Sequence, residues 1–384
     1  MSVLPAAIGW LATAMALAGI AYTLIAAALI RHPGPRIATM HSGPSSAVTL
    51  LKPLHFDEPR LGESLRSFAE QDYAGPAQLV FGVQIAADTA IPVVETLKAA
   101  YPAADITLVA NVRERGTNRK VSNLINMLEA AKHPVLVLSD SDIKVARGYL
   151  SGVVSSLEQP GVGAVTALYV GRPIKSFWAM ITAMGISYQF LPNVLVGVAA
   201  GLAKPCFGST IALQRDTLAS IGGFEALANQ LADDYELGNA VRRLGLKVVL
   251  APSAVEHICA QRSSSASLSQ ELRWARTIAA IDPAGHAGSV VTFPLAWALI
   301  ALAFWPGTVS LVVLLGAALS RGILKVRIDQ IFAARSGPIW LLPVRDIFAF
   351  AIFLASFIGR SVEWRGRGFR VETDGALSEP NGSH

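Results

Sequence analysis

From Pro5 to Ile30 the chain carries no charged residue. An α-helix rises 1.5 Å per residue, so a run of this length covers a hydrocarbon core of about 30 Å with some tilt. The opening Met1-Ser2-Val3-Leu4 lacks the basic residues of a secretory leader, and a retained anchor is expected. Arg31 and Arg36 follow it, which places the next segment in the cytoplasm. The composition agrees: charged residues make up 15% of the chain and apolar residues 52%, where a soluble chain carries about 25% charged residues. Disordered, collagenous and coiled-coil proteins are excluded on that ground. The 2 cysteines, Cys206 and Cys259, are too far apart for a zinc ribbon or a disulfide scaffold. A net charge of +5 can signal nucleic acid, but basic cytoplasmic flanks give the same balance, and no nucleic-acid partner is expected.

Two more apolar blocks lie near the C-terminus. One runs from Val290 to Leu319 and is interrupted at Pro306-Gly307; the other runs from Leu341 to Ile358, with Arg345 and Asp346 near its start. Arg321 to Arg335 reads as a basic loop between them, and Arg360, Arg365, Arg367 and Arg370 follow the second. If each block crosses once, both basic loops cannot face the cytoplasm. A hairpin broken at Pro306-Gly307 would return Arg321 to Arg335 to that side, so three or four crossings both fit. Arg345 and Asp346 are expected at the bilayer edge or paired with each other. The expected organisation is an anchor at 5–30, a catalytic domain at 45–289, a membrane region at 290–361 and a polar tail at 362–384.

The polar stretch alternates strand-like and helical runs. Ala47 to Leu51, Gln78 to Val83, Ile106 to Ala110 and Val135 to Leu138 read as strands; Leu61 to Gln71, Val93 to Ala100 and Val121 to Ala131 read as helices. Such repeats predict an α/β fold with a mostly parallel sheet and helices on both faces. Ligands of these sheets sit beyond the carboxyl ends of the strands, where Asp140 follows Val135 to Leu138. Pro173 to Ala203 is different, with no charge between Lys175 and Lys204. A single crossing would put Asp140 and Asp234 on opposite sides of the membrane, so 173–203 is expected to be interfacial or re-entrant.

Four features in this stretch bear on chemistry. Asp140-Ser141-Asp142 at a strand end can hold a hard divalent cation such as Mg²⁺ or Mn²⁺, leaving coordination positions for a diphosphate. Asp233-Asp234-Tyr235-Glu236 opens a helix, and a carboxylate crowded by a second one has the raised pKa a general base requires. Gln270 and Arg273 share a helix face with Trp274 beside them, suited to a leaving diphosphate and a sugar. Asn118, Arg119, Lys120 and Asn123 start a helix whose N-terminus suits an anion. Each alone also has a plainer reading: an acidic turn, a dipole partner, an interfacial anchor, a helix cap.

Taken in order, Lys52-Pro53, the DSD at Asp140, the DDY at Asp233 and the QELRW at Gln270 resemble the family-2-like glycosyltransferases of the GT-A fold. The resemblance covers roughly residues 45 to 365. It is nearest the ceramide glucosyltransferase branch (family 21), and within it the bacterial hopanoid biosynthesis-associated glycosyltransferases. It implies an inverting hexosyltransferase that uses a UDP-sugar and a divalent cation at Asp140 and Asp142. Asp234 would then be the general base, and Gln270, Arg273 and Trp274 would order donor and acceptor. Lys52 and Lys120 would touch the nucleotide or its diphosphate. Where the family carries an Asp that contacts the base, this chain has Ile85; Asp88 is the candidate substitute. The expected acceptor is a membrane lipid, ceramide-like or hopanoid, and the expected location a bacterial inner membrane with the catalytic domain cytoplasmic. A processive polysaccharide synthase shares the motifs but needs more spans after its catalytic domain. A non-catalytic scaffold rests on Ile85 alone.

Overall fold

The computed structural model describes residues 3–30, 45–56, 58–359, 361–364, 367–371 and 377–378. Arg31, Arg36, Arg360, Arg365 and most of the polar tail lie outside them. The chain forms two compact units: His32–Val170 with Lys204–Ala260, and Met1–Arg31 with Gly171–Ala203 and Gln261–His384.

The first unit is built on strands β1 (Val48–Pro53), β2 (Ala77–Val83), β3 (Asp105–Ala110), β4 (Val135–Leu138), β5 (Ile143–Lys144), β6 (Val162–Thr166), β7 (Tyr169–Pro173, which leaves the unit after Val170), β8 (Ile211–Gln214), β9 (Lys247–Leu250) and β10 (Val255–Cys259). Its main sheet has the order β3-β2-β1-β4-β8-β6-β9. The β3-β2-β1-β4 half is parallel, β8 runs antiparallel to both β4 and β6, and β9 is parallel to β6. Every residue of β1 is buried, as a central parallel strand covered on both faces requires. The one hydroxyl there, on Thr49, donates to Gln78 Oε1 at 2.9 Å. Helix Leu61–Ala69 buries Leu61, Leu65 and Phe68 along one face, the stripe its spacing predicts. Helices Ile91–Ala100 and Arg119–Leu128 follow β2 and β3. The expected fold is what forms, and the antiparallel insertion of β8 is the feature that the strand–helix alternation did not announce.

The second unit is mainly helical, with a small antiparallel sheet of Ser361–Trp364, Arg367–Val371 and Leu377–Ser378. Val3–Leu29, Phe177–Ala199, Thr308–Phe332 and Ile339–Ser356 are long and apolar enough to cross a membrane, and Pro283–Thr292 with Pro294–Phe304 forms a pair bent by 61°. Small residues let the helices approach: Ala16 packs in a cluster with Ala298, Ala317, Leu295 and Val313. The Phe177–Ala199 stretch turns through a π-helical segment at Ile186–Phe190. Pro192 has no N–H to give the Tyr188 carbonyl one turn back, and Arg321 Nη1 donates to that carbonyl instead, at 2.9 Å.

Two expectations are corrected here. Arg321 to Arg335 is not a basic loop: helix Thr308–Phe332 runs through most of it. Two of its charges are matched inside the unit, Arg321 by Asp346 at 2.7 Å and Lys325 by Asp329 at 2.5 Å, and Arg327 is exposed, so the helix need not end to solvate them. Nor do Arg345 and Asp346 pair with each other. Consecutive helix residues point about 100° apart, and Arg345 reaches Glu271 while Asp346 reaches Arg321. Helix Ser264–Ile281, expected within the catalytic domain, also belongs to this unit, because Glu271 and Ser267 bind partners there.

Candidate active site

The carboxyl end of β4 leads into Ser139 and Asp140. The turn that follows is held from beneath. Lys52, buried at the end of β1, donates from Nζ to the carbonyls of Asp140 at 2.5 Å and Ile143 at 3.2 Å. Ser64 Oγ donates to the carbonyl of Ser141 at 3.0 Å and also to that of Ile143. The Lys52 ammonium lies 4.1 Å from the centre of the Phe68 ring. Burial lowers its pKa to about 7, against the pull of Asp142, Asp140 and Glu58.

Lys120 stands at the centre of the site. Its Nζ is 3.0 Å from Asp140 Oδ1 and 3.1 Å from Asp233 Oδ2. Burial opposes its charge, but Asp140, Asp233 and Asp234 outweigh that and hold its pKa above the ordinary lysine value. Gly208 closes in from the other side, its carbonyl accepting from Asp140 N at 3.2 Å and its N–H donating to Asp234 Oδ2 at 2.8 Å. A Cβ at Gly208 would stand 2.7 Å from Lys120 Nζ and 2.8 Å from Asp140 Oδ2, so a larger residue there would push the tips of both side chains aside.

Asp233 and Asp234 open helix Asp233–Arg243. Asp233 is tied inward by Lys120 and by Asn118 Nδ2 at 3.2 Å. Asp234 is half-buried and takes the Gly208 and Tyr235 N–H groups, each at 2.8 Å. Burial, with Asp233 adjacent, pushes its pKa up to about 6, while Lys120 and the two backbone donors pull the other way. Asp142 is raised chiefly by burial as well; its Oδ2 lies 3.5 Å from His257 Nε2, and its Oδ1 is buried with no hydrogen-bond partner. His257 is delivered by β10, which pairs with β5 right after the DSD turn, with His257 opposite Ile143. Tyr169 packs against both Phe207 and His257 at 5.7 Å between ring centres.

Asp140, Asp142, Lys120, Asp233 and Asp234 are thus brought together. Three residues expected to face the donor turn inward instead. Lys52 props the DSD turn. Asn118 is fully buried, capping its helix through Val121 N and donating to Gln230 O at 2.7 Å. Asp88 is buried and its Oδ1 accepts from the N–H groups of Phe56 and Ala90, each at 2.9 Å, shaping the turn after β2. Ile85, in that turn, is 37% exposed rather than core. Gln270, Arg273 and Trp274 lie on helix Ser264–Ile281 of the other unit, capped by Ser263 Oγ, and Gln270 Oε1 accepts from Gln261 Nε2 at 2.5 Å. The sequence reading missed His257, Tyr169 and Glu271, whose partners are remote along the chain.

Among the described residues no group of three or more His, Cys, Asp or Glu side chains is arranged to hold a metal ion. Two carboxylates of the DSD turn remain. The unpartnered buried oxygen of Asp142 fits a hard cation whose other ligands come from a bound substrate.

Known proteins resemble the chain as a whole to differing degrees. Ceramide glucosyltransferase 3 of Caenorhabditis elegans is 24% identical over 355 residues, 87% of this chain and 74% of that protein. An N-acetylglucosaminyltransferase of Bradyrhizobium diazoefficiens is 24% identical over 241 residues, 60% of this chain and 48% of that protein. The solved structure of the mannosyltransferase PcManGT from Pyrobaculum calidifontis, in complex with GDP-Man and Mn²⁺, superposes with a TM-score of 0.51 at 20% identity, covering 92% of this chain and 98% of that one. That likeness establishes a glycosyltransferase fold. The sequence profile of the family described as glycosyl transferase family 21 matches residues 11–377, nearly the whole chain. On that match, the chain belongs to glycosyl transferase family 21.

Proposed function

We propose that this glycosyltransferase moves a hexose, glucose or N-acetylglucosamine, from a UDP-sugar to a hydroxyl of a membrane lipid, ceramide-like or hopanoid, with inversion at the anomeric carbon. The observation that carries the reading is Asp234: a half-buried carboxylate with a pKa near 6, fixed by two backbone N–H groups beside the lysine-linked acids of the site. That is the environment of a general base working near neutral pH. It takes the proton of the acceptor hydroxyl as that oxygen attacks the anomeric carbon, and the bond to the diphosphate breaks with its electrons leaving on the diphosphate. Asp140 and Asp142 would hold a divalent cation, Mn²⁺ or Mg²⁺, which supplies charge neutralisation for the diphosphate when bound. Lys120 adds a fixed positive charge to the same end. Arg273 is assigned to the leaving diphosphate, and Gln270 and Trp274 to donor and acceptor, by the family resemblance.

The apolar helices fit a lipid acceptor, since a hydroxyl at headgroup level then need not leave the bilayer. We assign the catalytic unit to the cytoplasmic side. Both flanks of Phe177–Ala199 join the same unit, which favours an interfacial or re-entrant course for that helix. The test is transfer by purified membranes given labelled UDP-glucose or UDP-N-acetylglucosamine, Mn²⁺ or Mg²⁺ and a bacterial lipid extract. A lipid carrying a single sugar is the expected product; polymer, or no metal-dependent product from either donor, would overturn the reading.

Lys52→Met gives a sharper check on the DSD turn. Methionine keeps the apolar stem over Phe68 and loses both hydrogen bonds to the turn carbonyls. Hydrogen bonds from a charged donor contribute about 1.5–3 kcal/mol, so the expected result is a roughly tenfold or greater weakening of Mn²⁺-dependent UDP binding. Calorimetry on the folded variant measures it. Unchanged metal-dependent binding would remove Lys52 from the support of the turn.

A further inference from the structure

Glu271 lies inside the QELRW stretch, between Gln270 and Arg273, yet it faces away from them. We propose that Glu271 and Arg345 form a positioning pair that fixes the register of the helix carrying Gln270, Arg273 and Trp274. The inference rests on the functional reading above, in which those side chains serve the transfer.

Helix Ser264–Ile281 has only two buried residues, Ser267 and Glu271, one turn apart and both polar. Ser267 Oγ shares a hydrogen bond with Thr182 Oγ1 at 2.8 Å. Glu271 meets Arg345 through two parallel contacts, Nη2 to Oε2 at 2.7 Å and Nη1 to Oε1 at 2.9 Å. Glu271 is 7% and Arg345 5% exposed. An amphipathic helix is ordinarily docked by an apolar stripe, which tolerates sliding by small steps. A two-pronged guanidinium–carboxylate contact does not, because both hydrogen bonds fail together when the helix shifts or turns.

The other side of the pair is shaped to receive it. The Arg345 guanidinium lies against Gly185, where any Cβ would collide with it. Its carbon is 5.6 Å from the centre of the Phe348 ring. Asp346, the next residue, is held by Arg321, so helix Leu342–Ser356 is pinned on two sides by adjacent residues of opposite charge. Arg345 Nε is nevertheless buried with no partner. Burying two charges and an orphan donor is an expensive way to hold a helix, where well-packed apolar residues serve stability as well or better. What the pair adds is geometry.

Glu271→Leu/Arg345→Leu removes both charges and leaves none unpaired, so folding is kept while the register is released. Arg345→Lys keeps one prong, and Gly185→Ala displaces the guanidinium without touching either charge. Each is assayed in detergent for thermal midpoint, turnover and donor KM, and for the mobility of a nitroxide placed by Ile278→Cys on the exposed side of the motif helix. The double variant is expected to melt like the parent, to lose on the order of 10²-fold in kcat, to keep donor KM within about threefold, and to give a more mobile nitroxide. Gly185→Ala should resemble it, and Arg345→Lys should recover part of the loss. Parental kcat in the folded double variant overturns the proposal, as does an unchanged nitroxide spectrum. If the parent itself transfers no sugar, the functional reading fails and the nitroxide decides alone: an immobile label in the double variant overturns the pair, a mobile one upholds it.

Discussion

Asp234→Asn abolishes sugar transfer and leaves the UDP-sugar bound. A general base contributes about 10²- to 10⁴-fold, and an amide cannot take the acceptor proton, so turnover should fall by at least that lower figure. The amide side chain keeps the size of the parent carboxylate and one oxygen for the Gly208 or Tyr235 N–H. The donor should therefore bind with nearly its parental affinity. In the parent, transfer should rise with pH through about 6, where burial and the neighbouring Asp233 place the Asp234 carboxyl, and level off above it. The stability contribution has the opposite sense. A carboxyl raised above its unfolded value near 3.9 favours the fold fully below that value, and the benefit is lost as pH climbs through about 6. Turnover of the amide variant within tenfold of the parent, or a flat pH profile between about 5 and 7, would remove Asp234 as the base.

Arg321→Leu should unfold the helical unit readily. The guanidinium donates from Nε and Nη2 to the two carboxylate oxygens of Asp346, each at 2.7 Å, and from Nη1 to the Tyr188 carbonyl. Both side chains of the pair are 3% exposed. Leucine leaves Asp346 charged, buried and alone, and breaking such a pair costs about 3–5 kcal/mol. Arg321→Leu/Asp346→Leu removes the orphan charge as well and should recover most of the loss, because the ion pair itself contributes little beyond an apolar contact of similar size. Denaturant titration in detergent distinguishes the two. Equal destabilisation in the single and double variants would mean that the Tyr188 carbonyl, rather than the charge, is what Arg321 satisfies.

The strands of the parallel half were legible because buried parallel strands are continuous apolar runs, and the helices because their apolar residues recur at helical spacing. The same logic located Asp140 and Asp142: a strand end in such a sheet faces the ligand crevice. Asp233 and Asp234 were legible as acids at a helix start. What could not be read was direction. Lys52, Asn118 and Asp88 sit where a donor contact is reasonable, but each has an internal partner that competes for it, and the competition is decided by residues distant in the chain. His257 lies in a strand with no motif around it, and only the pairing of β10 with β5 carries it to Asp142.

The charges near the C-terminus show the division most plainly. The uncharged run from Pro5 to Ile30 and the strand–helix alternation after it were enough to specify an α/β domain joined to apolar helices, because hydropathy and local period are properties of short stretches; the glycosyltransferase reading came from the family resemblance that the DSD and QELRW motifs carry. Which cation meets which anion was decided only by tertiary structure. Arg345 and Asp346 are neighbours in sequence and turn to opposite partners, Glu271 and Arg321, because adjacent residues on a helix point apart. A buried charge must be matched wherever the fold provides a counter-charge, and chain distance does not enter that requirement.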